Sequence, residues 1–195
     1  MRKSLFLSLI ILTFAIGGRS QTKQPSNLLP IAQDGRWGYI DQAGKMILDP
    51  QFLFAQGFSE GLAAVRILRQ NVILPWAYIN SSGEVIIQPQ FESAEAFSEG
   101  LAAVGIAGTP KVGYVDKTGN IVIKPQFEKA FRFSSGAARV YDDGKYGYTD
   151  KVGNRITDVM FDDAEDFSNG VARVKLGTRW GYVNKEGKYI WKPSK

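Results

Sequence analysis

The sequence predicts an all-β protein built as a tandem array of about five like units, each of three antiparallel strands. Three observations predict it. A motif centred on Gly-Tyr or Ala-Tyr recurs five times, and the block Phe-x-x-Ala-x-x-Phe-Ser-x-Gly recurs four times without exception. The chain of 195 residues is also rich in glycine, with 21, and 12% aromatic. Short apolar strands joined by glycine turns use such a composition, and self-similarity at a fixed period marks a repeat architecture.

The N-terminus comes first and is not a repeat. Met1-Arg2-Lys3 is a basic start, Ser4 to Ile16 is an apolar run, and Gly17-Gly18 breaks it. This predicts a secretory signal peptide over residues 1–20, cleaved after Gly17 or Ser20. The run spans 13 residues, short of the roughly 20 that a stable membrane span needs. Residues 21–27 are polar, contain Pro25, and read as a flexible lead-in. The repeat domain is expected over residues 28–195.

The first strand of each unit is Trp37-Gly38-Tyr39-Ile40-Asp41 and its copies starting at Trp76, Val112, Tyr146 and Trp180. The closing Asp or Asn can bond its own backbone, and a glycine three residues later accepts positive φ. The second strand has a β-branched centre in every copy: Ile47, Ile86, Val122, Ile156 and Ile190. These centres are expected to face the core, and the following proline is expected to end pairing. The third strand is Leu62-Ala63-Ala64-Val65 and its copies.

The linking block carries Phe52, Phe58 and Gly61, then Phe91, Phe97 and Gly100, then Phe127, Phe133 and Gly136, then Phe161, Phe167 and Gly170. Spacing of three predicts one face of a tight helical or 3₁₀-like turn. The phenylalanines are expected in the core, at roughly 1.5–3 kcal/mol each.

These motifs, Gly35-Arg36-Trp37-Gly38-Tyr39-Ile40-Asp41, Pro50-Gln51-Phe52 and Phe58-Ser59-Glu60-Gly61-Leu62-Ala63-Ala64-Val65 with their copies, resemble the bacterial WG (KWG) repeats. The resemblance runs from Asp34 to the end. It implies repeat architecture and interaction roles, and no chemistry. Val112 and Tyr146 depart from the Trp, Ala77 from the Gly, and Val159-Met160 from Pro-Gln.

At the ends, Leu28-Leu29-Pro30-Ile31 reads as a third strand without its repeat, and the C-terminus supplies first and second strands without a third. An open twisted solenoid-like array fits, with each unit packed on its neighbours. A closed five-unit propeller-like ring is the alternative.

Composition argues against several functions. The chain has neither cysteine nor histidine, so the commonest nucleophile, general base and soft metal ligands are missing. The net charge of +5 shrinks to about +2 past residue 20, and scattered Lys and Arg make no nucleic-acid face. The paired acids Asp142/Asp143, Asp162/Asp163 and Glu165/Asp166 fall where other copies have neutral or basic residues. No catalytic site, cofactor site or metal site is expected.

The expectation is an exported, non-catalytic interaction or scaffold protein of the periplasm, cell surface or medium. Its partner is a protein, with a glycan stacked on Trp37, Trp76, Trp180 or Trp191 as the alternative. Departures from regularity place the binding surface. The connection Arg66–Pro75 is the longest between third and first strands, and Gly105–Lys111 is next. Arg66, Arg69, Asn71, Ile73 and Lys111 are the candidate partner-binding residues of one lip. Trp191 joins them as a candidate surface residue, since other copies have Leu48, Ile87, Ile123 or Thr157 there.

Overall fold

The computed structural model describes residues 27–193, apart from the side chain of Val159. The signal peptide expected over residues 1–20 and most of the expected lead-in lie outside the described residues. All described secondary structure is β, every pairing is antiparallel, and no sheet closes into a barrel.

Unit one is β1 (Leu29–Gln33), β2 (Arg36–Ile40) and β3 (Met46–Phe52), hydrogen-bonded in that order. Unit two is β4 (Phe54–Ala55), β5 (Ala63–Arg69), β6 (Val72–Ile79) and the start of β7 (Val85–Ala94). Unit three takes the end of β7, then β8 (Leu101–Ile106), β9 (Val112–Asp116) and β10 (Ile121–Phe127). Because β7 serves both, these two units form one seven-stranded sheet. Unit four is β11 (Lys129–Ser134), β12 (Ala137–Asp142), β13 (Lys145–Asp150) and β14 (Arg155–Phe161). Unit five is β15 (Asp163–Ala164), β16 (Val171–Leu176), β17 (Arg179–Asn184) and β18 (Tyr189–Trp191). No strand of unit one pairs with a strand of unit five, so the array is open and the ring alternative is set aside.

Three expectations are corrected. The Phe-x-x-Ala-x-x-Phe block is extended and no helix: it forms the edge strands β4, β11 and β15 and the end of the interior strand β7. Ala55 pairs with Val65, Ala94 with Val104, Ala130 with Val140, and Ala164 with Val174. Units therefore have four strands where the block is present. Spacing of three meets one side here because the block leaves regular pleating after its alanine, with register shifts or isolated bridges around it.

The second strand is read one residue off in three of its five copies, while Ile47 and Ile156 pack, partly buried, against the junction cores. Ile86 (41% exposed), Val122 (40%) and Ile190 (58%) face out, while Ile87, Ile123 and Thr157 are buried. The inward residue is the one opposite the motif tyrosine: Tyr39 faces Leu48, Tyr78 faces Ile87, Tyr114 faces Ile123 and Tyr148 faces Thr157. A pleat shifted by one residue reverses every side chain. Finally, Pro50, Pro89 and Pro125 lie within β3, β7 and β10. The strand passes each proline across a bulge and re-pairs at Phe52, Phe91 or Phe127.

That bulge explains the motif glycine. A methyl group on Gly38 would lie 2.5 Å from the Leu48 carbonyl oxygen and 2.8 Å from Pro50 N, and Gly113 meets Ile123 and Pro125 in the same way. Ala77 tolerates the position in unit two, where it is fully buried.

Seven of the eight block phenylalanines are buried, and Phe58 is half-buried against Tyr39 at a ring separation of 4.9 Å. The core lies between units: Tyr39 and Phe52 of unit one cluster with Ala63, Val65 and Ile79 of unit two. The same grouping recurs at the next three junctions.

Candidate interaction surfaces

Junctions are fastened by polar bonds that each unit lends its neighbour. The tyrosine hydroxyl donates to a linker carbonyl seventeen residues on: Tyr39 to Gln56 O (2.7 Å), Tyr78 to Glu95 O (2.7 Å), Tyr114 to Phe131 O (2.6 Å) and Tyr148 to Glu165 O (2.5 Å). Burial pushes all four phenols well above their ordinary value. The block serine donates to the next block: Ser59 to Phe97 O (2.6 Å), Ser98 to Phe133 O (2.7 Å) and Ser134 to Phe167 O (2.6 Å). After it, Glu60-Gly61 and its copies take positive φ at both residues, the tight turn that returns the chain into the third strand. Glu60 and Glu99 then accept from the backbone of the next turn, at Gly100 and Gly136, and pair with Lys117 (3.0 Å) and Lys151 (3.2 Å). The repeated polar residues are thereby used up in holding the array.

Three surfaces are not used up. The first is the hairpin of β5 and β6. The connection Arg66–Pro75 is no loop: both strands simply lengthen, and Gln70-Asn71 turn the chain with φ of 51° and 63°. Arg66 donates from Nε to Leu74 O at 3.2 Å and so braces the hairpin from within. Val72 (58%) and Ile73 (48%) are exposed near the tip, with Arg69 and Asn71 beside them. At the base, Phe54 is 48% exposed and tilts against Trp76, ring centroids 6.4 Å apart. Only this copy has an aromatic there; the others have Ser93, Lys129 and Asp163. That departure was the sequence signal for Phe54, which reading by loop length misses.

The second is a groove of about 560 Å³ between units three and four, floored by Ala96, Ala103, Val112 and Phe131 and rimmed by Glu95, Glu128, Lys129, Arg132 and Asp166. It exists because unit three is small where later units are large. At the Ala103 position unit four has Arg139, stacked on Phe131 at 4.1 Å and Tyr146 at 5.5 Å. Unit five has Arg173, stacked on Trp180 at 4.0 Å. Val112 in place of the motif tryptophan was the legible half of this signal.

Lys111 sits beside the groove but turns away from the hairpin. Its ammonium bonds Asp142 and lies 3.8 Å from Glu128. The Asp142 hydrogen bond is the main cause that raises its pKa. It thus occupies the one acidic cluster suited to a cation among the described residues, Glu128, Asp142 and Asp143. The predicted lip is therefore not a single surface: the hairpin residues stand on unit two, and Lys111 is tied to unit four.

Of the remaining paired acids, Asp162, Glu165 and Asp166 are likewise held in ion pairs, and Asp163 accepts from Ala164 N. Lys145 bonds Asp162, lowering its pKa; Arg173 reaches Glu165 at 3.3 Å; Arg132 and Arg139 flank Asp166 at 3.2 and 3.4 Å.

The third surface is the C-terminal end. Trp191 is 64% exposed and lies opposite Tyr182, itself 43% exposed. Trp37, Trp76 and Trp180 are half-buried.

Such a chain is by fold a tandem β-repeat protein whose units are closed by their successors. It belongs to the family of WG containing repeats, whose model matches residues 37–67, 76–108, 113–146 and 146–177. No curated protein matches the sequence. Among solved structures, a protein of unknown function from Bacteroides caccae is similar at 14% identity, covering 86% of this chain and 78% of its own, with a TM-score of 0.36. A putative TolB from Agrobacterium tumefaciens is similar at 13% identity, covering 85% and 76%, with a TM-score of 0.45.

Proposed function

We propose that this chain is an exported, non-catalytic interaction module that engages a protein partner through the β5–β6 hairpin. The observation that carries the reading is the exposure of Val72 and Ile73 on the hairpin that most outgrows the repeat, with Phe54 of β4 exposed at its base. Here apolar side chains are gathered on a braced two-stranded projection, and clustered exposed apolar groups mark binding sites. Arg69 and Asn71 supply the polar rim such sites have. Export rests on the basic-apolar-small order of residues 1–20.

Replacing Arg66–Pro75 by a five-residue turn tests the reading. The trimmed protein is expected to fold, since of the replaced residues only Ile67 packs, partly buried, against a junction core, and to lose partner capture from envelope extracts. A milder double change, Val72→Ser with Ile73→Ser, is expected to weaken capture at least tenfold. Unchanged affinity in both variants refutes the hairpin site. Cell fractionation checks export: retention of the full-length, uncleaved chain in the cytoplasm counts against it.

A glycan-binding reading is supported by Trp191 and Tyr182, one exposed ring pair. Glycan-array binding that quenches tryptophan fluorescence would favour it.

A further inference from the structure

Each of the four junctions has a knob and a socket. The knob is the strand residue opposite the motif tyrosine; the socket is the turn glycine of the next unit. A methyl group on Gly83 would lie 3.1 Å from Leu48, one on Gly119 2.8 Å from Ile87, one on Gly153 3.1 Å from Ile123, and one on Gly187 3.3 Å from the Thr157 methyl. Glycine is thus what lets successive units close up.

The two ends of the array each keep half of this contact. At the C-terminal end, Trp191 is the fifth knob, in the register position of Leu48, and is 64% exposed. Tyr182 beside it is 43% exposed, where its four counterparts are fully buried. At the N-terminal end, Gly44 is the fifth socket, and no atom of the described residues lies within 4 Å of where its methyl would be. Leu29 stands next to it in function: it pairs with Ile40 as Ala63 pairs with Ile79, and the alanines at its position are buried against the preceding unit. Leu29 itself is 49% exposed.

The charges at the two ends are also opposed. Residues 171–192 carry six basic side chains and one acid, Glu186; residues 28–53 carry Asp34, Asp41 and Asp49 against Arg36 and Lys45. In addition, Lys185 occupies the position of Lys117 and Lys151 but faces Ser135 where those have Glu60 and Glu99.

We propose that the C-terminal end of one molecule docks on the N-terminal end of a second copy of this chain, with Trp191 seated over Gly44 and Leu29 covered by Tyr182. The contact is heterologous, the same join the chain makes internally four times, so it propagates head to tail into rings or filaments. Opposed net charge favours the encounter and sets its direction. The inference is independent of the hairpin site.

Sedimentation velocity on the purified protein tests it, from micromolar concentrations up to about 1 mM. Concentration-dependent association that weakens in high salt is expected. Trp191→Glu blocks one end and Leu29→Glu the other; both positions are exposed, so both variants are expected to fold and to stay monomeric alone. Mixed in equal amounts, they are expected to form a dimer and nothing larger, because one good end of each kind remains. Gly44→Asn, which keeps a residue tolerant of positive φ, is expected to stay folded and lose association by filling the socket. A wild-type protein that is monomeric throughout overturns the proposal. So does Leu29→Glu dimerising by itself, which would mean Trp191 meets Trp191, or a monomer that buries its own Trp191 by closing on itself. Glycan binding at Trp191 without self-association overturns it as well.

Discussion

At the residue scale, the phenylalanines are legible as core, whereas the burial of the motif tyrosines and the inward side of most second strands are not. Phe97 is 1% exposed and stacks on Tyr78 at 4.9 Å, so Phe97→Ala is expected to cost about 3–5 kcal/mol, read by chemical denaturation. Removing a single hydroxyl is a finer probe. Tyr114→Phe leaves the Phe131 carbonyl without its donor and is expected to cost about 1–2 kcal/mol with the fold intact. Gly113→Ala is expected to destabilise, because its methyl meets backbone of the opposite strand. Composition told glycine from other residues but not a turn glycine from a close-approach glycine. Both kinds lie in strand–turn–strand surroundings, and only the neighbouring strand's bulge separates them. The inward side of the second strand was illegible for the same cause. β-branched residues at Ile86 and Val122 suit an exposed strand as well as a buried one, and the bulge that settles the choice involves pairing between strands.

At the element scale, repeat boundaries and tight turns were plain in the sequence, since each turn is local. Five Asp or Asn side chains accept from backbone two and four residues on, as at Asp41, Asn80, Asp116, Asp150 and Asn184. The extended conformation of the Phe-Ala-Phe block is not legible because its alanine pairs ten residues on, in the third strand, and that pairing leaves no mark in the block's own spacing. The hairpin was half read. Its length showed in Arg66–Pro75, but that it is an unbroken strand pair with an apolar edge depends on cross-strand register. Its removal is expected to lower the melting temperature by only a few degrees, about 1 kcal/mol, because of the replaced residues only Ile67 packs against a junction cluster, and it is only partly buried there. Thermal scans of the trimmed protein check this alongside partner capture.

On the scale of the whole molecule, stability is a sum over junctions, and its pH dependence follows from the groups they bury. The four junction tyrosines have phenol pKa values raised above 10.0. A raised value favours the neutral form, so this stabilisation is complete below pH 10 and is lost as pH climbs beyond it. Carboxylates act in the other direction. The Thr118 hydroxyl first, then backbone donors, hold Asp116 below its ordinary 3.8, and Lys145 does so for Asp162. Their contribution is present above that value and fades as pH falls through it. Having no histidine, the chain has little to titrate in between. Melting temperature is expected to be flat from about pH 5.5 to about pH 9 and to fall on both sides. A melting temperature still level at pH 11 would contradict the tyrosine account. The open array is the arrangement the sequence favours, since three strands are few for a propeller blade, although an open array and a ring place the same residues between units.

Every junction bond from a tyrosine spans seventeen residues. A polypeptide that emerges N-terminus first therefore leaves one unit at a time waiting for its closing carbonyl, whatever the number of repeats behind it. Lengthening such a protein by duplicating a unit adds no new stage of vulnerability during synthesis; it only lengthens the queue of identical steps.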